Sequence, residues 1–276
     1  MSKLLRIKNL GRSFKIDSQS VFNCFVYLIC LLPTCLHGQH YQIKCIDKKD
    51  QETLESFFEY IIHRTSIGYS LCSQKPLATE TFIKISKIPK RHAHHVPKIL
   101  FEHYGYSILW NGWKCWERYS HLFPSEKFVL RFIPHLNTLV LINKPACKKK
   151  IDENIDLFQK YLGLTLSSEK IYEGICSPKN EEYLFKNNCL LGILYGFGRN
   201  NSIAFSNCSY FLKLETFAKT DIFNPIPGYG FIIINNGSNE NENKKVKKMF
   251  DEAQKKLNFH FTQKNNFETF LKLYVN

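Results

Sequence analysis

Apolar residues recur at helical spacing in ETLESFFEYIIHR, where Leu54, Phe57, Phe58, Ile61 and Ile62 share one side. This spacing predicts a helix that stops before a turn at Ser66-Ile67-Gly68. A second helical region runs between Val96 and Phe123 and carries Trp110, Trp113 and Trp116 at intervals of three, roughly along one side. KFVLRFI and TLVLI, rich in β-branched and aromatic residues, read as two strands joined by a turn at Pro134, His135, Leu136 and Asn137. Ile151, Ile155, Phe158 and Leu162 define an amphipathic helix ended by Gly163. GYGFIIIN (228–235) predicts a further strand completing a small antiparallel sheet, and GSNENEN (237–243) a polar linker. Val246, Met249, Phe250, Ala253 and Leu257 then mark a Lys-rich helix whose polar side reads as a solvated face. The pattern predicts a helix-dominated α+β fold: a single domain over residues 39–276 with a small antiparallel sheet, preceded by an N-terminal signal or anchor segment over 1–38.

The glycines of LLGILYGFGRNN (190–201) match no phosphate-binding loop. A dinucleotide loop needs a third glycine where Asn201 stands, and a mononucleotide loop needs a second glycine where Phe197 stands. Gly192 and Gly196 lie one helical turn apart and suit close packing of a neighbouring element. Gly198 is expected to end the helix, with Asn200, Asn201 and Ser202 capping a new one near Ile203. Arg199 is placed on the last carbonyls of the first helix. Cys189 and Cys208 flank this corner, and a disulfide between them is the expectation for an exported protein.

Export is itself a reading of the N-terminus. A basic, polar stretch over residues 1–20 precedes an apolar run that begins at Val21 and meets Pro33. That run suits the apolar core of a secretory signal and is short for a bilayer crossing, which takes about 20 residues. Cleavage after Gly38 gives a periplasmic, envelope or secreted protein. An uncleaved anchor, with membrane contact through residues 21–36, and an ordinary buried helix are the competing readings.

Net charge is +14 over 276 residues. Before residue 39 stand five of the 38 basic residues (Lys3, Arg6, Lys8, Arg12, Lys15) and one of the 24 acids (Asp17), which leaves 33 minus 23, or +10, scattered along the remainder. A nucleic-acid partner is disfavoured, because no recognition module with base-stacking aromatics at fixed spacing occurs. Ten cysteines occur without a CxxC pair, and the seven after residue 38 are irregularly spaced. Neither a zinc site nor a thioredoxin-type motif is supported.

Catalytic templates fail as well. Ser70 and Ser107 follow Gly-Tyr but lack the second glycine of a nucleophile elbow, and no HExxH occurs. In RHAHH (91–95), His92 and His94 would share a face of an extended segment, but Lys90, Arg91 and Lys98 disfavour a bound cation. Catalytic residues are unknown, and neither a metal nor a cofactor is implied. Candidate binding residues are Lys75, Arg199 and Asn201, together with the Trp110, Trp113 and Trp116 stripe, which reads as core or as a partner face. Lys75 before Pro76 suits an anion but reads first as a solvated turn residue.

IGYSLCSQKP (67–76), LVLINK (139–144) with ENIDLFQKYLG (153–163), and LLGILYGFGRNNSIAF (190–205) together resemble a family of uncharacterised proteins from obligate intracellular bacteria. The chain departs from that pattern at Ser73, Gln74 and Ser202. The resemblance implies an exported or envelope-associated location and no established activity. A binding protein with an unknown protein or envelope partner is therefore the leading expectation. An exported hydrolase is the alternative, and a basic nucleic-acid-binding protein stands third.

Overall fold

Two of the predicted strands, FVLRFI and TLVLI, meet edge to edge and are joined by a third, Leu77–Thr81, that the pattern did not predict. In the computed structural model, which describes residues 42–81, 96–163, 165–177, 187–207, 214–219, 229–234, 239–262 and 265–275, the chain divides into two compact units, Met1–Asp47 and Lys48–Asn276. Of the first unit residues 42–47 are described, with a helical turn at 42–44. The second holds a three-stranded antiparallel sheet, order β1-β3-β2, made from β1 (Leu77–Thr81), β2 (Phe128–Ile133) and β3 (Thr138–Asn143).

Strand β3 is central, and all six of its residues are buried. A continuous apolar run of this kind suits a strand covered on both faces. Residues directly opposite in register share a face. Leu141 pairs with Leu130 and Leu139 with Phe132, whereas Ile142 pairs with Val129 and Leu77. The first face meets aromatic side chains: Trp110 and Trp113 lie 5.6 and 6.0 Å from Phe132, and Tyr274 stacks on Phe128. These rings come from α3 (Val96–Tyr119) and α10 (Asn266–Val275), which pack with α1 (Lys48–Arg64) around Phe58, Trp116, Phe267 and Phe270.

The second face carries Leu77, Ile133, Val140 and Ile142 into a core shared with α4 (Lys144–Glu153), α5 (Ile155–Leu162), α6 (Ser168–Cys176) and α7 (Asn188–Leu194). The chain turns from β2 to β3 through a short 3-10 stretch, Pro134–Leu136, with Asn137 left-handed at φ 52°. Gly163 ends α5 at φ 65°. Helix α9 (Glu240–His260) lies against α2 (Ile67–Cys72), so closely that a Cβ on Gly68 would stand 2.8 Å from Leu257 Cδ2.

The architecture is the expected helix-dominated α+β fold, with local departures. Ser66-Ile67-Gly68 opens α2 instead of forming a turn. The amphipathic helix expected through Ile151 and Leu162 is two helices, broken at Asn154, whose side chain donates to the Lys150 carbonyl at 2.9 Å. Such a side chain offers the backbone an alternative to helix continuation. GYGFIIIN yields β5 (Tyr229–Ile234), which pairs with β4 (Leu214–Lys219) in a separate two-stranded ribbon and adds nothing to the main sheet. Glu240, Asn241, Glu242 and Asn243 of the expected linker already belong to α9.

Asn143 ends β3 and caps α4, accepting from Ala146 N at 3.2 Å while its amide donates to the carbonyls of Ser70 and Ser73 at 3.3 and 3.0 Å. Replacing it with Ala removes the cap and leaves two carbonyls unpaired, an expected loss of roughly 2–3 kcal/mol. Asn143→Asp keeps the cap but replaces the donor with a buried charge, so it should be no better. Urea denaturation checks both, and an aspartate variant as stable as the wild type would show that the two carbonyl bonds contribute nothing.

Candidate functional site

The segments 67–76, 139–144 and 190–205 are distant in sequence and adjacent in space. Asn143 joins the first two through the bonds above and through its own N–H, which donates to the Pro76 carbonyl at 2.8 Å. Lys75 and Tyr195 bring the first and third together, and just beyond the first segment the Thr79 hydroxyl bonds that of Tyr195 at 2.7 Å. Lys75 sits where they meet. It is not a solvated turn residue: only 4% of its surface is exposed, and its ammonium lies 5.7 Å from the Tyr195 ring and 5.4 Å from the Phe250 ring. The Ser73 hydroxyl accepts from Lys75 N at 2.9 Å and holds the turn. Burial alone pushes the amine down to about 8, since no carboxylate offsets it. The rings supply cation–π attraction instead.

The glycine corner is a helix–helix corner, built differently from expectation. Helix α7 ends at a Schellman motif, with Phe197 N donating to Gly192 O and Gly196 N to Ile193 O, both at 3.0 Å. Gly196, at φ 80°, thus takes the role expected of Gly198. Gly192 faces Ser202, whose Oγ would lie 2.6 Å from a Cβ there. Helix α8 (Arg199–Ser206) starts four residues earlier than Ile203, and its N-terminus is capped by Glu242 of α9, which accepts from Asn200 N and Asn201 N at 3.0 and 3.1 Å. Gly198 leaves room for that carboxylate, because a Cβ would stand 2.5 Å from Glu242 Cδ.

Arg199 and Asn201 are committed to this corner. Arg199 does not cap α7; it makes a two-pronged pair with Asp156 at 2.9 and 2.6 Å, and the guanidinium holds that carboxyl down at about 2. Asn201 is buried, and its amide donates to Phe197 O and Asn243 Oδ1. Of the tryptophans, Trp113 and Trp116 are buried in the aromatic core and only Trp110 is half-exposed, so the stripe is scaffold rather than a partner face.

His92, His94 and Cys208 fall outside the described residues. Cys189 is a free, fully buried thiol of α7, and its expected pairing with Cys208 lies outside the described residues. Burial pushes Cys72 and Cys115 up to about 12, and Cys147, Cys176 and Cys189 upward too, so these thiols are poor nucleophiles. Among the described residues no group of three His, Cys, Asp or Glu could hold a metal ion.

What the structure adds is a groove. A recess of about 600 Å³ runs beside α9, bounded by α4 and by the end of α2. Lys245, Lys248 and Lys256 of α9, Lys149 and Lys150 of α4, and Lys127 line it, six ammonium groups against the single carboxylate of Glu252. Lys248 approaches Glu252 at 3.8 Å, and Lys150 pairs with Glu153 at 2.5 Å. Lys127, Lys245 and Lys256 make no ion pair among the described residues. At its base lie Leu71, Cys72, Ala146 and Ala253, all buried, with Met249 beside them. A neighbouring recess of about 310 Å³ shares Lys150, Lys245 and Met249 and reaches Arg199 and Glu242. Sequence reasoning took these lysines as scattered and the polar side of α9 as merely solvated. The usable signal was the recurrence of Lys245, Lys248, Glu252 and Lys256 on one helical face.

Comparison with protein families, with curated proteins and with solved structures finds no match to this chain.

Lys75 carries a pH signature. Its amine titrates near 8 in the folded chain and near about 10.4 in the unfolded one. Between those values the unfolded chain holds the extra proton, so stability rises with pH across that window. Lys75→Met removes the buried charge; it should stabilise the protein at pH 7 by roughly 1–3 kcal/mol and flatten the climb. Urea melts from pH 7 to 10.5 read both effects, and an unchanged slope in the variant would assign the pH dependence elsewhere.

Proposed function

We propose that this is a non-enzymatic binding protein, exported or envelope-associated, whose working surface is the lysine-lined groove beside α9. The observation that carries the reading is the groove's charge: six lysines around one recess, three of them without an ion pair among the described residues. Like charges gathered at this density repel one another, and that cost is relieved when an anionic ligand arrives. The location rests on the N-terminal sequence alone: a basic stretch, then the apolar run from Val21 to Pro33. Among the described residues no helix is long and apolar enough to cross a membrane.

The enzyme alternative draws no support from the side chains once suspected of it. Lys75 is enclosed, Arg199 and Asn201 are engaged in internal bonds, and burial holds the thiols of Cys72, Cys115, Cys147, Cys176 and Cys189 protonated.

Inorganic polyphosphate serves as a generic anionic probe of the groove. The protein should bind it with an affinity that falls with salt. The double variant Lys245→Glu/Lys256→Glu should lose about tenfold or more, whereas Lys114→Glu, on the exposed side of α3, should behave as wild type. Equal losses from both variants would mean that overall charge, not the groove, does the binding. N-terminal sequencing of fractionated native protein tests the location: a mature start near Gln39 supports export, and an intact Met1 in the soluble cytoplasm overturns it.

A further inference from the structure

The groove combines two chemistries that few anions match together. Its base is apolar, with Leu71, Ala146, Met249 and Ala253, and its rims carry exposed lysines from two different helices. Along α9, Lys245 and Lys256 stand about 16 Å apart at the helical rise per residue. The charge is thus spread over about three turns and is not focused on one point. We propose that the groove is a docking site for an acidic amphipathic helix of a partner protein, its apolar edge on the base and its carboxylates against the two lysine rims. The inference rests on the reading of the groove as the working surface.

Other occupants match half of the site. A nucleic acid offers phosphates to the lysines but little to the apolar base, and among the described residues the lining holds no Phe, Tyr, Trp or Arg to stack on bases or read them. A flat anionic bilayer reaches the rims and leaves the recess unfilled. The chain's own N-terminal stretch has the wrong sign, with five basic residues and one acid before residue 39. An amphipathic helix lying in a groove serves base and rims at once, with apolar anchors at i, i+3, i+4 and i+7.

The test uses the whole protein and a fluorescein-labelled peptide of roughly four turns, with leucines along one edge and glutamates on both flanks. A second peptide has the same composition in scrambled order, so that charge is kept and the apolar edge is lost. In fluorescence anisotropy the ordered peptide should bind about tenfold or more tightly than the scrambled one, and its circular dichroism should gain helix on binding. Lys245→Glu/Lys256→Glu should weaken both peptides. Met249→Ser should weaken the ordered peptide and leave polyphosphate binding unchanged, with thermal melts showing that both variants fold. Equal binding of the two peptides overturns the docking proposal while leaving an anion-binding groove in place. Lysine-dependent binding of oligothymidylate or of phosphatidylglycerol vesicles with no peptide binding overturns it in favour of those ligands. Failure of every probe, polyphosphate included, overturns the groove reading itself.

Discussion

Strand β3 has no solvent-facing side, and the rest of the second unit is arranged to meet that condition. A strand flanked on both edges and buried on both faces must receive apolar partners from above and below. The aromatic cluster around Phe58, Trp116 and Phe270 serves one face, and the aliphatic cluster around Ile142, Ile151 and Leu190 serves the other. The aromatic layer is drawn from helices far apart in the chain, α1, α3 and α10, and the aliphatic layer from the consecutive helices α4 to α7, with β3 between the two. At the end of β3, Asn143 converts that burial into a fixed junction, because a buried amide must find acceptors and the carbonyls of Ser70 and Ser73 provide them.

Polar groups in this fold follow two regimes. Around the glycine corner they are consumed: Arg199 by Asp156, Glu242 by the first N–H groups of α8, Asn201 by Asn243. These contacts tie α5, α8 and α9 together, which is what a corner without its own capping side chain needs from its neighbours. Along the groove, among the described residues, Lys149, Lys150 and Lys248 have a carboxylate nearby, and Lys127, Lys245 and Lys256 are left to solvent. Polar groups satisfied internally stabilise the fold, and those left unsatisfied on a concave surface are available to a partner. Lys75 belongs to neither regime, since among the described residues it is buried without a carboxylate and balanced by two rings.

Local periodicity made the scaffold legible. Leu54 through Ile62, the FVLRFI and TLVLI runs, Gly163 as a helix stop and the α9 stripe lie where their spacing places them, because side-chain direction follows directly from backbone period. The misplacements fall where a tertiary partner decides. Asn154 breaks a helix that its apolar spacing favours, and β5 joins a ribbon because its partner is β4, not the central sheet. Gly196 and Gly198 exchanged their expected roles because the cap for α8 comes from Glu242, some 40 residues onward.

The sequence by itself determined the fold class, most of the helices and strands and the corner at residues 190–201. These are properties of neighbouring residues, and hydrophobic spacing and glycine reveal them without knowledge of any partner. Only the tertiary structure decided the fate of the polar side chains. It enclosed Lys75, committed Arg199 and Asn201 to internal bonds, buried Trp113 and Trp116, and brought Lys127, Lys149 and Lys245 to one groove. A charge acquires a role from what stands opposite it, and for residues a hundred positions apart that is set by how α4 and α9 pack, not by the order of the chain.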